Sequence, residues 1–408
     1  MYTSVLLSTE GLVNHFQSLL IALFCVLNSG LVFAASVPDD HTIRIRIEHL
    51  KSEVELKGRH ILINGDKFSE SIFKKKATIQ LREDGSWSVR TKNSEKLYPS
   101  MKLEISGESL ELDGRAAPAH VVLSHTTKSL QSLRFDAITE LPLEEYLLDV
   151  VASEVPSHWP VETLKAQAVA ARSYALVIQK ERAGKPYHID SSTQHQVFQY
   201  KQHKRVKNTS KIVKAVKQTK GQILVGADGQ VFKTYFHAHC GGETEDPGAV
   251  WGTPDENFKP LHDKESCDTS PSGQWVAEIN ETEFLKYIEK KVGEKSQDNR
   301  FLSLNLKHKS NSERIETIEI ASLKSTLQLR SQDFREAFGF TKIKSTIFSF
   351  EYKDGVFSFK GRGYGHGAGL CQTGSRWMGA SGSNYKQILS RYYSAARLSG
   401  LDITLSKN

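Results

Sequence analysis

Glu154 stands in the run SEVPSHWPVETLKAQAVAARSYAL, residues 153–176, directly ahead of the backbone-breaking Pro156 and Pro160. Beyond the prolines, Val161, Leu164, Ala168, Ala171 and Ala175 recur at helical spacing. A helix is therefore expected there, with Lys165 and Arg172 together on its polar side. An acid in the preceding loop would share a groove with these two cations. It could give a proton to a leaving oxygen and take one back if desolvation holds its proton affinity up, which nearby cations oppose. Val155 and Trp159 would supply the apolar wall. Arg172 would work against the acid if it touched it, so it is assigned either to a negative group on a substrate or to a polar network that positions Glu154. The plainer reading of Glu154 is a helix cap or a salt-bridged loop acid.

A second island, GRGYGHGAGLCQTGS at 361–375, alternates Gly361, Gly363, Gly365, Gly367 and Gly369 and carries His366 and Gln372 as polar members. Alternating glycines flatten one face of an extended backbone and let another chain or a sugar ring approach closely. The match to a dinucleotide fingerprint is superficial, since no βαβ unit frames it and no suitably placed acid comes after it. His366 and Gln372 read as groove-lining residues or as buried structural donors. Gln196, in STQHQVFQY, and His237, in HAHC, are similar cases. His188 and His195 have no partner that the sequence names and are expected at the surface.

The elements that must hold these residues are α+β. Residues 36–135 show short alternating runs, among them TIRIRI, ATIQL, WSVR, KLEI and SLELDG, and read as a β-rich N-terminal region. From Leu141 the texture changes to LPLEEYLLDVV, where Leu143, Tyr146, Leu147, Val150 and Val151 obey the helical rule, so that two short helices flank Glu154. Strands return at 221–240. Residues 276–334 mix a charged helix near 282–291 with strand patterns, and read as a variable α/β segment inside a mixed domain spanning 136–398, whose core is 136–275 and 335–398. A tail of 399–408 ends the chain.

Leu19 to Ala35 is nearly free of charge and ends in small residues, which reads as a secretory signal covering residues 1–35, although residues 1–18 contain no Lys or Arg. A retained N-terminal membrane anchor is the alternative. Export puts the mature chain in an oxidising compartment, where Cys240 and Cys267 are expected to pair as a disulfide, leaving Cys371 over. Two buried free thiols, or a zinc site at His237, His239, Cys240 and Cys267, are the lesser alternatives, and otherwise no metal or cofactor is expected. The net charge of +7 is concentrated: residues 201–220 hold eight Lys and Arg and no acid. The plain reading is a solvated helix face with Ile212, Val213 and Val216 buried and Gly221 as its stop; the functional one is attraction to a polyanion. No nucleic-acid-binding module is recognisable, so nucleic acid is not an expected partner.

The stretches LPLEEYLLDVVASEVPSHWPVETLKAQAVAARSYAL, TKGQIL, TYFHAHCGGETED followed by VWG, FREAFG with KSTIF, and GRGYGHGAGLCQTG with ILSRYYS resemble the SpoIID/LytB family, in family order over roughly residues 136–398. Cys371 stands where many members carry Ser, and Ser375 where Ala is common. The resemblance implies a SpoIID-like domain and a lytic transglycosylase that cleaves peptidoglycan glycan strands lacking stem peptides. Glu154 would be its general acid and base; beside it, Arg172, Lys165, Gln196, His237, His366 and Gln372 are read from the residues themselves as substrate contacts, Arg172 at the lactyl carboxylate or in the network that positions the acid. It also implies an alternative: a non-catalytic, peptidoglycan-binding modifier that stimulates a cell-wall amidase. Either is expected to be exported, periplasmic or wall-associated.

Overall fold

A computed structural model describes residues 41–401 apart from 50–51, 66–67, 73–75, 127–131, 264–266, 268–272, 293–300, 309–311 and 324–325. The expected signal segment, with Cys25, lies outside these residues. Among the described residues no helix is long and apolar enough to cross a membrane.

The strand-rich start arises from period-two patterning. It comprises β1 (Thr42–His49), β2 (Glu53–Gly65), β3 (Phe68–Ile72), β4 (Lys76–Leu81), β5 (Trp87–Arg90), β6 (Glu95–Tyr98), β7 (Lys102–Leu112), β8 (Arg115–Ala116), β9 (His120–Ser124) and β10 (Asp136–Pro142). In β2, Val54, Leu56, Ile61 and Ile63 are buried, and β7 answers with Leu103, Ile105, Leu110 and Leu112. Each such side chain contributes about 1.5–3 kcal/mol when withdrawn from water. Together with β11 (Ile189–Asp190) the strands form one sheet ordered β11-β1-β10-β9-β7-β2-β4-β5-β6, with β3 on β2 and β8 on β7. Two joints couple this sheet to the acid. β10 runs straight into the helix that ends at Glu154, and β11, parallel to β1, leads into the loop carrying Gln196.

α1 (Leu143–Glu154) has acids Glu144 and Glu145 in its first turn, where the helix dipole favours them, and buries Leu143, Tyr146, Leu147, Val150 and Val151. Glu154 is its last residue rather than a loop residue. Pro156 and Pro160 hold the next six residues out of the helix, and α2 (Val161–Glu181) then begins. At 21 residues α2 is not short, and its alanines let it lie buried between two cores. Leu164, Ala168, Ala171 and Ala175 pack with α1, while Ala166, Val169 and Ala170 pack with Cys240, Leu370, Cys371 and Ile388.

α3 (Gln202–Arg205) and α4 (Thr209–Gln218) carry the basic segment. α4 buries Ile212, Ala215 and Val216, leaves Val213 half-buried, and stops near Gly221 at φ +70°. Next come β12 (Gln222–Val225), β13 (Phe236–His237) and α5 (Pro247–Trp251). The chain continues through β14 (Gln274–Asn280), α6 (Glu281–Val292), β15 (Phe301–His308), β16 (Ile315–Ser322), β17 (Thr326–Arg330), α7 (Ser331–Phe338), β18 (Ile347–Lys353) and β19 (Val356–Arg362). They enclose a core of their own running from Trp275 to Phe359, so this segment extends past the expected boundary at 334. The chain ends through β20 (Leu370–Cys371), α8 (Gln372–Ala380), α9 (Tyr385–Tyr392) and β21 (Arg397–Gly400). β21 pairs with β12 and Leu401 is buried, so residues 399–401 belong to the fold rather than to a tail.

The glycine-rich island is not a flat strand. Gly363, Gly365, Gly367 and Gly369 all have positive φ, from +70° to +110°, and the chain that approaches them is their own. A Cβ on Gly369 would lie 2.0 Å from the Tyr235 carbonyl oxygen. β20 thereby pairs in parallel with β13, His237 opposite Cys371.

Candidate active site

Glu154 brings the two sequence islands together. Its Oε1 accepts a 2.6 Å hydrogen bond from the Val197 backbone N–H, and its carboxylate accepts another from the side chain of Gln372, the first residue of α8. Gln372 is itself buried and donates to Gln167 Oε1 on α2 at 3.4 Å. Glu154 retains some exposed surface, yet protein encloses its carboxyl closely enough that desolvation, the largest influence, pushes its pKa up to about 7 against the two hydrogen bonds that favour the anion. Among the described residues, no charged side chain is one of the groups that shift it. At neutral pH it is therefore divided between acid and carboxylate.

The two cations expected beside it have other partners. Arg172 is fully buried and grips Glu144, at the opposite end of α1, through Nε at 2.7 Å and Nη2 at 2.8 Å, while Nη1 donates to the Gln222 carbonyl at 3.1 Å. With all three nitrogens engaged and no exposed surface, it holds α1, α2 and β12 together and faces no substrate in this conformation. Lys165 pairs with Glu162 at 2.7 Å, one helical turn away, and lies over the Tyr385 ring. Spacing put both cations on a polar side of α2, but Arg172 is wholly buried there, and spacing could not name the acids that meet the two cations.

Gln196 is also wholly buried. It accepts from Tyr146 Oη at 2.8 Å and donates to the Ala171 carbonyl at 3.2 Å, so it positions the loop whose next residue, Val197, bonds Glu154. His237 bonds the Ala368 carbonyl through Nδ1 at 3.0 Å, and its Nε2 has no partner among the described residues. His366 takes the Ala368 N–H at Nδ1, 3.0 Å, and bonds the Phe236 backbone. Burial, then Arg335 and Arg314, lower its pKa to about 3, and burial holds His237 well below its ordinary value. Both imidazoles are neutral near pH 7 and are not acids there. The His366 ring packs against Trp251 at 4.9 Å and His237 at 5.7 Å, and Trp251 stacks on Tyr235 at 4.4 Å. Tyr235 in turn meets Tyr174, whose pKa is raised chiefly by burial and slightly by Glu154. An aromatic row thus runs from Tyr174 on α2 to the second island. Val155 is buried and Trp159 half-buried in the same core, and Trp159 lies under the Arg376 guanidinium.

A model of the Stage II sporulation protein family (SpoIID) matches residues 131–225, which hold α1, α2 and the loop of Val197. An uncharacterized protein of Brachyspira hyodysenteriae is 31% identical over 270 residues, covering 65% of this chain and 67% of that protein. The chain belongs to the SpoIID/LytB family. Stage II sporulation protein D of Bacillus subtilis is 28% identical over 283 residues, 66% of this chain and 78% of that one. The Amidase enhancer of the same organism is 26% identical over 293 residues, but the chain spans only 40% of its length. A domain of unknown function (DUF8618) matches residues 255–369, which includes the separately cored segment.

Within this family frame, several contributors were hidden from sequence reading. The Val197 N–H is a backbone group with no residue-type signature. Gln167 was detectable as a polar residue on an apolar helix face. A separate groove of about 890 Å³ lies on the separately cored sheet, lined by Trp275, Glu313, Phe348 and Arg362, and includes none of the expected site residues. His188 and His195 are not surface residues. His188 is buried and accepts the Arg44 N–H at 3.1 Å, and half-buried His195 accepts from Asp190 N at 3.4 Å.

The expected Cys240–Cys267 disulfide is not formed: Cys240, Cys267 and Cys371 are buried free thiols. Cys371 is not left over but has its Sγ 3.1 Å from that of Cys267. His237 and His239 do not join these thiols. Among the described residues the group able to hold a metal is Cys240, Asp263, Cys267 and Cys371.

Proposed function

We propose that this chain is a lytic transglycosylase acting on peptide-free peptidoglycan strands, with Glu154 as its single acid and base. The observation that carries this reading is an enclosed carboxyl with a pKa near 7, hydrogen-bonded by Val197 and Gln372 and shifted by no charged side chain among the described residues. Hydrolysis of a glycosidic bond ordinarily needs a second carboxylate for water or for a covalent intermediate. A lone acid suffices when the substrate supplies its own nucleophile. Protonated Glu154 gives its proton to the glycosidic oxygen as the C1–O bond breaks. The resulting carboxylate takes the proton of the sugar's C6 hydroxyl, whose oxygen closes on C1 to form a 1,6-anhydro end. Glu154 is left protonated and no water is consumed. Family membership supports a cell-wall role, and the exposed lysines and arginines of residues 204–220 suit a wall polyanion.

The test is mass spectrometry of peptide-free strands incubated with wild type and Glu154→Gln. Anhydro ends from wild type alone are expected; reducing ends would mean hydrolysis and a second carboxylate. The amidase-enhancer relative favours a second reading, a non-catalytic wall binder that stimulates an amidase. Intact strands, retained binding and a raised amidase rate would establish that reading instead. Both readings place the protein outside the cytoplasm, at the wall.

A further inference from the structure

Cys240, Asp263, Cys267 and Cys371 come from distant parts of the chain, yet their donor atoms all lie within 4.8 Å of one another and none of the four residues is exposed. Cys240 comes just after β13, Cys371 ends β20 beside it, and Asp263 and Cys267 are one turn apart, with Cys267 N–H on the Asp263 carbonyl at 2.9 Å. We propose that these four side chains are a structural zinc site.

Tetrahedral zinc with Zn–S near 2.3 Å and Zn–O near 2.0 Å places its donors roughly 3.5–3.8 Å apart. Here Asp263 Oδ2 is 3.8 Å from both Cys240 Sγ and Cys267 Sγ, and Cys267 Sγ is 3.1 Å from Cys371 Sγ. A disulfide between Cys267 and Cys371 would need about 2.05 Å and would leave a buried thiol and a buried carboxylate facing each other. A metal uses all four donors.

The surroundings are those of a ligand shell. Cys371 Sγ accepts the N–H groups of Cys240 at 3.3 Å and Gly374 at 3.4 Å and caps α8, where the helix dipole favours a thiolate. Tyr392 Oη donates to Asp263 Oδ2 at 2.7 Å, and Arg391 lies 3.2 Å from Oδ1, fixing the carboxylate as partners outside a metal site do. Three thiolates and a carboxylate around a divalent ion make a doubly negative centre. Two guanidiniums balance it: Arg391 and the buried Arg314, which reaches the Cys240 carbonyl and whose Nε and Nη1 have no partner among the described residues. Gly374 is required by the close approach, since a Cβ there would stand 2.4 Å from Asp263 Oδ2 and 2.0 Å from Tyr392 Oη.

Zinc here would tie β13 and β20 to the start of α8, whose first residue, Gln372, bonds Glu154. It would hold the frame of the site without touching the reacting atoms.

The test is metal analysis of the full chain purified without chelator, followed by cobalt substitution. One zinc per chain is expected, with intense thiolate-to-cobalt absorption in the tetrahedral pattern. Chelator should expose three thiols that the holoprotein protects. Asp263→Asn should keep metal but shift the cobalt bands, and Cys371→Ser should weaken zinc binding at least tenfold; if that variant fails to fold, the wild-type cobalt spectrum still decides. Failure to take up zinc or cobalt from added salt, or a Cys267–Cys371 disulfide in a non-reducing peptide map, would overturn the proposal. These readouts stand whether or not Glu154 cleaves glycan.

Discussion

The two ends of α1 each carry a glutamate, and the fold treats them oppositely. Glu144, in the first turn, is clasped by the buried guanidinium of Arg172, whereas Glu154, in the last, is hydrogen-bonded among the described residues by the Val197 N–H and an uncharged amide. The difference lies in the elements packed against each end. α2 crosses α1 so that its one buried cation faces the Glu144 end, while the proline-held turn at 155–160 leaves the Glu154 end to the 191–199 loop and α8. The same residue type becomes a structural tie to α2 at one end and a group that releases its proton near neutrality at the other.

Four experiments probe that contrast. The largest effect is expected from Glu154→Gln, which should reduce strand cleavage by about 10²–10⁴-fold with binding retained; unchanged turnover would remove Glu154 from the chemistry. Arg172→Met should cost about 3 kcal/mol of stability, the loss on breaking a buried pair, in chemical denaturation, while strand affinity well below the transition stays as in wild type. A large rise in KM instead would return Arg172 to the substrate. Third, Glu154 binds its proton more tightly when folded than its ordinary value of 4.5. Its stabilising contribution is therefore complete below pH 4.5 and is lost as pH rises through about 7. Relative to Glu154→Gln, wild type should lose about 3 kcal/mol across that window; parallel melting curves at pH 4.5 and 8 would show an ordinary carboxyl. Last, Gln372→Ala removes a hydrogen bond to the anion, so the alkaline limb of the activity profile should move to higher pH by less than about one unit. Movement to lower pH would mean that Gln372 stabilises the protonated form.

Local pattern carried the helices well. Leu143, Tyr146, Leu147, Val150 and Val151 are all buried on α1, and the alternating runs at 42–124 are strands of one sheet. Motif resemblance singled out Glu154, but not that Gln372, 218 positions further along the chain, bonds its carboxylate. What stayed hidden depends on crossing geometry, which periodicity does not encode. Spacing shows that Arg172 shares a face with Lys165 but not that Glu144 meets it. The even glycines of 361–369 announced a close approach, though not that Tyr235 and its neighbours make it. Asp263, four residues before Cys267, is one acid among many in a sequence, and only folding separates it from solvent.

The parallel pairing of β13 with β20 has a temporal side. Phe236 meets Leu370 only after more than a hundred intervening residues have been made and a separately cored segment has been set aside between them. Contacts of such long sequence separation close late and slowly. A chain still lacking its last forty residues has Glu154 but neither Gln372 nor the frame that seats it. The seating of Glu154 would therefore wait for the end of synthesis, although every residue of the first island is made long before.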